Sequence, residues 1–175
     1  MVQVIVIAAD AESPLEQRDF ARLEDYQAAV GGWIEAVDLL DFGVTIYVNE
    51  EGLLRHLPFN SRASFLWWYH VPEARQKAML VGDAVLVGLA GRDGISTDVP
   101  REVQSRLLTP ARYRVELWLV GNSEWSRNPA TFPDYWEALV WGMAFLERIP
   151  GAVGVRVLPV EPDEIAVNDQ SRRSA

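Results

Sequence analysis

The chain has 175 residues, of which 49% are hydrophobic and 23% charged, and its formal net charge is −9. That balance excludes a disordered or collagen-like chain, and no apolar run approaches the roughly 20 residues of a membrane-spanning helix. There are no cysteines and only two histidines, His56 and His70, so disulfides, thiolate metal sites, cysteine nucleophiles and a three-histidine metal centre are excluded.

The opening MVQVIVIAAD is apolar but lacks the basic start of a signal peptide. Val2, Val4 and Val6 alternate with Gln3, Ile5 and Ile7, as in a strand buried on both faces. Leu15 to Phe20 suits an edge strand, although Ser13 and Glu16 also have the spacing of a capping box. Leu23, Tyr26, Gln27 and Val30 share one helical face, and Gly31-Gly32 ends that helix. Trp33 to Asp38 and Val44 to Val48 predict a hairpin around Asp41-Phe42-Gly43. Asn49-Glu50-Glu51-Gly52 is a polar turn, with Gly52 expected at positive φ. Leu53 to Leu57 suggests a brief strand extension that Pro58 interrupts. Asn60 or Ser61 caps a helix through Tyr69, and a short helix follows from Pro72. Met79 to Leu89 is strand-like. Gly91 to Gly94 is a loop, and Asp98 is expected to cap a helix ending near Leu108.

Thr109-Pro110-Ala111 resembles a joint. Beyond it, Tyr113 to Val120 predicts a strand, Asn122 to Ala130 a polar loop, Thr131 to Arg148 an amphipathic helix and Val153 to Val160 a strand. The apolar face of that helix carries Tyr135, Leu139, Met143 and Leu146, with Trp136, Val140 and Phe145 beside it. The expected fold class is α+β: a small mixed sheet with short helices, followed by a C-terminal β-α-β unit with parallel strands. The expected organisation is a domain over residues 1–108, a module over 112–160 packed on it, and a loose tail over 161–175.

Three segments carry a resemblance. They are Leu23 to Glu35, with Val30-Gly31-Gly32-Trp33 at its centre; Tyr47 to Leu53, with Asn49-Glu50-Glu51-Gly52; and Leu57-Pro58-Phe59-Asn60 taken with Gly82 to Gly88. In order and spacing they resemble the family called domain of unknown function 3846, over roughly residues 2–108. The resemblance implies a small α+β domain, an origin in bacteria (notably actinobacteria), phages or mobile elements, and no catalytic residues to carry over.

Several residues are candidates for chemistry. Asn49, Glu50 and Glu51 offer carboxylates for acid–base work or a divalent cation, although neighbours on an extended segment point apart and a solvated turn explains them more simply. Asn60 offers an exposed amide for a ligand, or a helix N-cap. Trp67-Trp68-Tyr69-His70 is rich in stacking surface, but a helix spreads four successive residues around its circumference. Arg92, Arg101, Arg106, Arg112 and Arg114 offer a phosphate-binding face, but Asp93, Asp98 and Glu102 interleave with them and a solvated surface is the expected reading. Neither a phosphate-binding loop nor a dinucleotide fingerprint is present.

The charge is uneven: residues 1–60 carry eleven acids against three bases. An acidic first third beside Trp67 and Trp68, with cofactor motifs lacking, suits a cytoplasmic, non-enzymatic accessory protein that binds a protein partner. No cofactor, metal, membrane or nucleic-acid partner is expected, and self-association is compatible with this reading. One alternative is a small-ligand binder or enzyme using Glu50, Glu51 and Asn60. Another is an antirestriction-like acidic DNA mimic, for which −9 is a modest charge. A binding role calls for an exposed tryptophan, with Trp67, Trp68, Trp125 and Trp136 as candidates.

Overall fold

The computed structural model describes residues 1–160, so the tail expected over 161–175 lies outside the described residues. The chain divides into two compact units, Met1–Leu108 and the residues from Thr109 onward.

The first unit holds strands β1 (Val2–Ile7), β2 (Glu16–Phe20), β3 (Ile34–Leu39), β4 (Val44–Asn49) and β5 (Ala84–Gly88). Its helices are α1 (Leu23–Val30), α2 (Ser61–His70) and α3 (Arg101–Leu108). The sheet order is β2-β1-β5-β4-β3. All four pairings are antiparallel, so the sheet is not mixed: β5 lies between β1 and β4 and runs against both. The four expected strands share this one sheet, and the segment from Leu15 is its edge strand β2.

Side-chain alternation sends the valines of β1 and β5 to opposite faces from their isoleucine and leucine neighbours. Val4, Val6, Val85 and Val87 pack with Phe20, Tyr26 and Val30, placing α1 on that face. Ile5, Ile7, Ile46 and Leu86 point the other way and are fully buried. Gln3 shares their face, and its Oε1 accepts from Gln104 of α3 at 2.9 Å. Phe42 ties α3 to α2, since its ring stacks on His70 at 4.4 Å and lies under the Arg106 guanidinium at 5.8 Å. Helices therefore cover both faces.

Four local expectations are corrected. Gly52 is not at positive φ; a Cβ there would come within 2.8 Å of Val81 Cγ2 and 3.0 Å of the Asn49 carbonyl. Residues 53–57 are not a strand but a tight turn, closed by Arg55 N–H to Glu51 O at 2.9 Å, with His56 at φ 52. The segment from Met79 becomes regular strand only at Ala84, because Gly82 turns the chain at φ 74. Asp98 does not cap α3; its carboxylate accepts the Gln3 N–H at 2.7 Å instead.

The second unit contains β6 (Tyr113–Leu119), β7 (Ser126–Phe132), α4 (Tyr135–Arg148) and β8 (Ala152–Pro159). The polar stretch expected to be a loop is largely the edge strand β7. Pro129 hid it from the sequence pattern, and an edge is where proline is tolerated. The sheet order is β7-β6-β8, with β6 antiparallel to both neighbours. The expected β-α-β unit is therefore split: α4 joins β7 and β8, which run parallel to each other with β6 between them. α4 starts at Tyr135, four residues later than the pattern suggested, and is capped by Asp134, whose carboxylate accepts the Glu137 N–H at 2.8 Å. Tyr135, Leu139 and Met143 are buried as expected, while Leu146 is only half-buried.

Candidate functional site

The Gly31-Gly32-Trp33 and Asn49-to-Arg55 segments meet at one corner of the first unit. The end of α1 leaves backbone carbonyls without helical partners. Gly31 turns the chain out of the helix at φ 75. Asn49 Nδ2 then donates to the Val30 carbonyl at 3.2 Å, and Arg55 Nη1 donates to the Gly31 carbonyl at 2.6 Å. A cation there also suits the negative end of the helix dipole. Asn49 Oδ1 accepts the Glu51 N–H at 2.9 Å, and the Glu50 N–H reaches the Trp33 carbonyl at 2.8 Å. Gly32 has to lack a side chain, since a Cβ there would sit 2.6 Å from Asn49 Nδ2. Asn49 is thus a buried clamp. Glu50 and Glu51 are exposed, as are Trp33 (65%), Leu53 and Leu54 (82%). None of these exposed side chains is needed to form the corner.

Asn60 is fully buried at the start of α2. Its Oδ1 accepts the Ala63 N–H at 3.0 Å, and its Nδ2 donates to the carbonyls of Ile7 and Gly82, each at 2.9 Å. Among the described residues, no hydrogen bond joins Glu50, Glu51 and Asn60 to one another.

Trp67 and Trp68 are both half-buried. Trp68 donates its Nε1–H to the Ala78 carbonyl at 2.8 Å and stacks on Phe59 at 6.1 Å. The exposed tryptophans are Trp33 and Trp141, and Trp125 and Trp136 are half-buried. The sequence reading therefore overlooked Trp33, although it lies inside the quoted motif.

His70 Nδ1 lies 2.9 Å from Asp41 Oδ2, which resembles an oriented catalytic histidine. Its side chain is only 6% exposed, however, and Nε2 is buried without a hydrogen-bond partner. Burial lowers its pKa below 6.5, against the opposing pull of Asp41. No substrate can reach that nitrogen as it stands. Among the described residues, no group of three His, Cys, Asp or Glu is placed to hold a metal ion.

Of the arginines that the sequence offered from Arg92 to Arg114, only Arg114 meets Glu116, and it does so beside two others, Arg127 and Arg156. In the second unit, Glu116 is 2% exposed and meets Arg114 Nε at 2.9 Å, Arg127 Nε at 3.3 Å and Arg156 Nη2 at 2.6 Å. Burial pushes the Glu116 carboxyl up, yet the hydrogen bonds and charges of Arg156 and Arg114 outweigh it and hold the group below its ordinary value. Arg156 also lies over the Trp125 ring at 4.4 Å, and Trp125 meets Trp118 edge-on at 5.4 Å. The alternation Arg112, Arg114, Glu116, Trp118 was the available signal, but β7 had to be recognised before Arg127 could join it.

The fold and these clusters define a two-unit α+β protein. Residues 2–111 match the family described as Domain of unknown function (DUF3846). That span is more than half of the 175-residue chain, and the chain belongs to this family. No curated protein and no solved structure matches it. No helix among the described residues is long and apolar enough to cross a membrane.

Proposed function

We propose that the chain is a protein-binding module whose first unit receives a partner segment at the Trp33 corner. One observation carries this reading. Trp33, Leu53 and Leu54 are exposed within the segments that build the corner, while the architecture there is already accounted for by Gly31, Gly32, Asn49, Gly52 and Arg55. Tryptophan is enriched among the residues that dominate binding energy at interfaces. The rim carries the exposed carboxylates Glu35, Glu50 and Glu51, and residues 1–60 hold eleven acids against three bases. Charge complementarity therefore selects a segment with an apolar anchor flanked by Lys or Arg.

The rival small-ligand or enzymatic reading is supported less well. Asn60 is committed to α2 and to two carbonyls, and His70 Nε2 is sealed. The test is selection of a displayed random-peptide library on the protein, with counter-selection on Trp33→Ala. The expected result is enrichment of peptides carrying a bulky apolar residue beside basic ones, lost on the variant. Enriched peptides that bind Trp33→Ala equally well, or that are acidic, would reject the reading.

A further inference from the structure

We propose that the face of the three-stranded sheet not covered by α4, with Arg114, Arg127 and Arg156 around Glu116, Arg112 further along β6 and the Trp118–Trp125 pair beside them, binds single-stranded nucleic acid. This surface belongs to the second unit and does not depend on the Trp33 corner.

The strand register places these groups together. Glu116 stands opposite Arg127 on β7 and Arg156 on β8, so all three side chains share a face. Arg114 and Trp118 are on that face by alternation. Arg112 joins them, since its Nη2 donates to the Thr131 hydroxyl at 2.7 Å and Thr131 stands opposite Arg114. Tyr113, Val115 and Leu117 are buried on the other face, where Tyr113 meets Tyr135 of α4 at 5.4 Å.

Charge is segregated between the two faces. Residues 109–160 contain five arginines and five carboxylates. Four of the arginines lie on the sheet face: Arg114, Arg127 and Arg156 meet Glu116, and Arg112 is held by Thr131. Asp134, Glu137 and Glu147 belong to α4 or its cap, and Glu124 to the loop before Trp125. Among the described residues this face therefore carries more arginines than carboxylates, and the net charge of −9 on the whole chain does not erase that local excess, because exposed charges are screened beyond about 8–10 Å at physiological salt.

The aromatic pair selects the class of anion. Gly154 lies opposite Trp118, and the ideal position of a Cβ on it is 3.2 Å from Trp118 Cβ and 3.6 Å from Trp125 Cη2, so this glycine lets the indoles lie close to the sheet. Both tryptophans keep part of their surface in solvent. The Arg156 guanidinium carbon lies 4.4 Å from the centre of the Trp125 ring, so a cation and an indole stand side by side on this face. Unstacked bases are recognised by aromatic rings and guanidinium planes of this kind, with neighbouring arginines on the phosphates. An acidic peptide would use the arginines and leave the indoles idle. A duplex keeps its bases stacked away from them.

The probe is a fluorescein-labelled 12-nucleotide oligo(dT), or its oligo(U) counterpart, titrated with the full chain and followed by anisotropy at about 50 mM salt. Binding should weaken steeply as salt rises. Arg127→Gln, which removes a largely exposed guanidinium, should reduce the magnitude of the log–log salt slope by about 0.7 for a single strand. Trp125→Ala should weaken binding roughly 5- to 150-fold, whereas Trp125→Phe should recover much of the loss. Circular dichroism of each variant separates lost binding from lost folding. No binding at tens of micromolar protein, equal binding of a duplex, equal competition by polyglutamate, or unchanged affinity in folded Trp125→Ala would each overturn the inference.

Discussion

Replacing Asn60 by Ala tests whether this buried amide is part of the architecture or part of a ligand site. The substitution removes an N-cap acceptor from α2 and two donors from the carbonyls of Ile7 and Gly82. Loss of a cap costs about 1 kcal/mol, and each buried acceptor left unpaired costs about 1–2 kcal/mol, for a total of about 3–5 kcal/mol. With an m-value near 2 kcal/mol/M, the urea midpoint of the first unit should fall by about 1.5–2.5 M. Asn60→Ser keeps a capping oxygen and should recover about 1 kcal/mol of that loss. Asn60→Asp keeps the cap but turns an oxygen towards two carbonyls, and should be no better than Ala. The assay is urea unfolding followed by far-ultraviolet circular dichroism. A loss below about 1 kcal/mol for Asn60→Ala would refute the structural assignment. It would return Asn60 to the list of ligand-binding candidates.

Leu139 is fully buried on α4, and Leu139→Ala should destabilise the second unit by about 2–5 kcal/mol in the same urea assay; a change below about 0.5 kcal/mol would mean the helix packs by another face. Gly88→Ala places a Cβ 2.3 Å from the Asp98 carbonyl, so it should cost about 1–3 kcal/mol, and a neutral result would contradict the close approach of the Thr97–Asp98 segment to β5. His70 is held neutral by burial, with its pKa below 6.5, so the stability it contributes is present above about pH 6.5 and is lost as pH falls towards its folded value. The melting temperature should drop between about pH 7.5 and 5.5 in the wild type and less in His70→Phe, which keeps a ring against Phe42; identical slopes would be the contrary result.

Much of the first unit was legible because its strands are β-branched runs bounded by glycine and proline. Val2 to Ile7 and Val44 to Asn49 needed no tertiary information. Gly52 misled because a glycine required by a neighbour's side chain looks, in sequence, like one required by φ. β7 was missed because Asn128-Pro129 reads as a loop unless the strand is known to be an edge. At the corner, the sequence singled out Asn49 and passed over Trp33. A buried clamp and an exposed indole both sit in the motif, and only burial separates them. The arginine cluster was illegible for a different reason. Arg114, Arg127 and Arg156 are far apart in the chain and converge only through the register of β6 with β7 and β8.

The chain contains seven tryptophans, and Trp33 can be observed directly. The decisive measurement is ¹⁹F NMR of the protein labelled with 5-fluorotryptophan, with the Trp33 resonance assigned from Trp33→Phe. A selected apolar–basic peptide is then titrated in. The expected result is a saturable shift or broadening of the Trp33 resonance, with the Trp118 and Trp125 resonances of the second unit unmoved. A bound peptide that leaves Trp33 unchanged while other resonances move would contradict the assignment of partner binding to this corner.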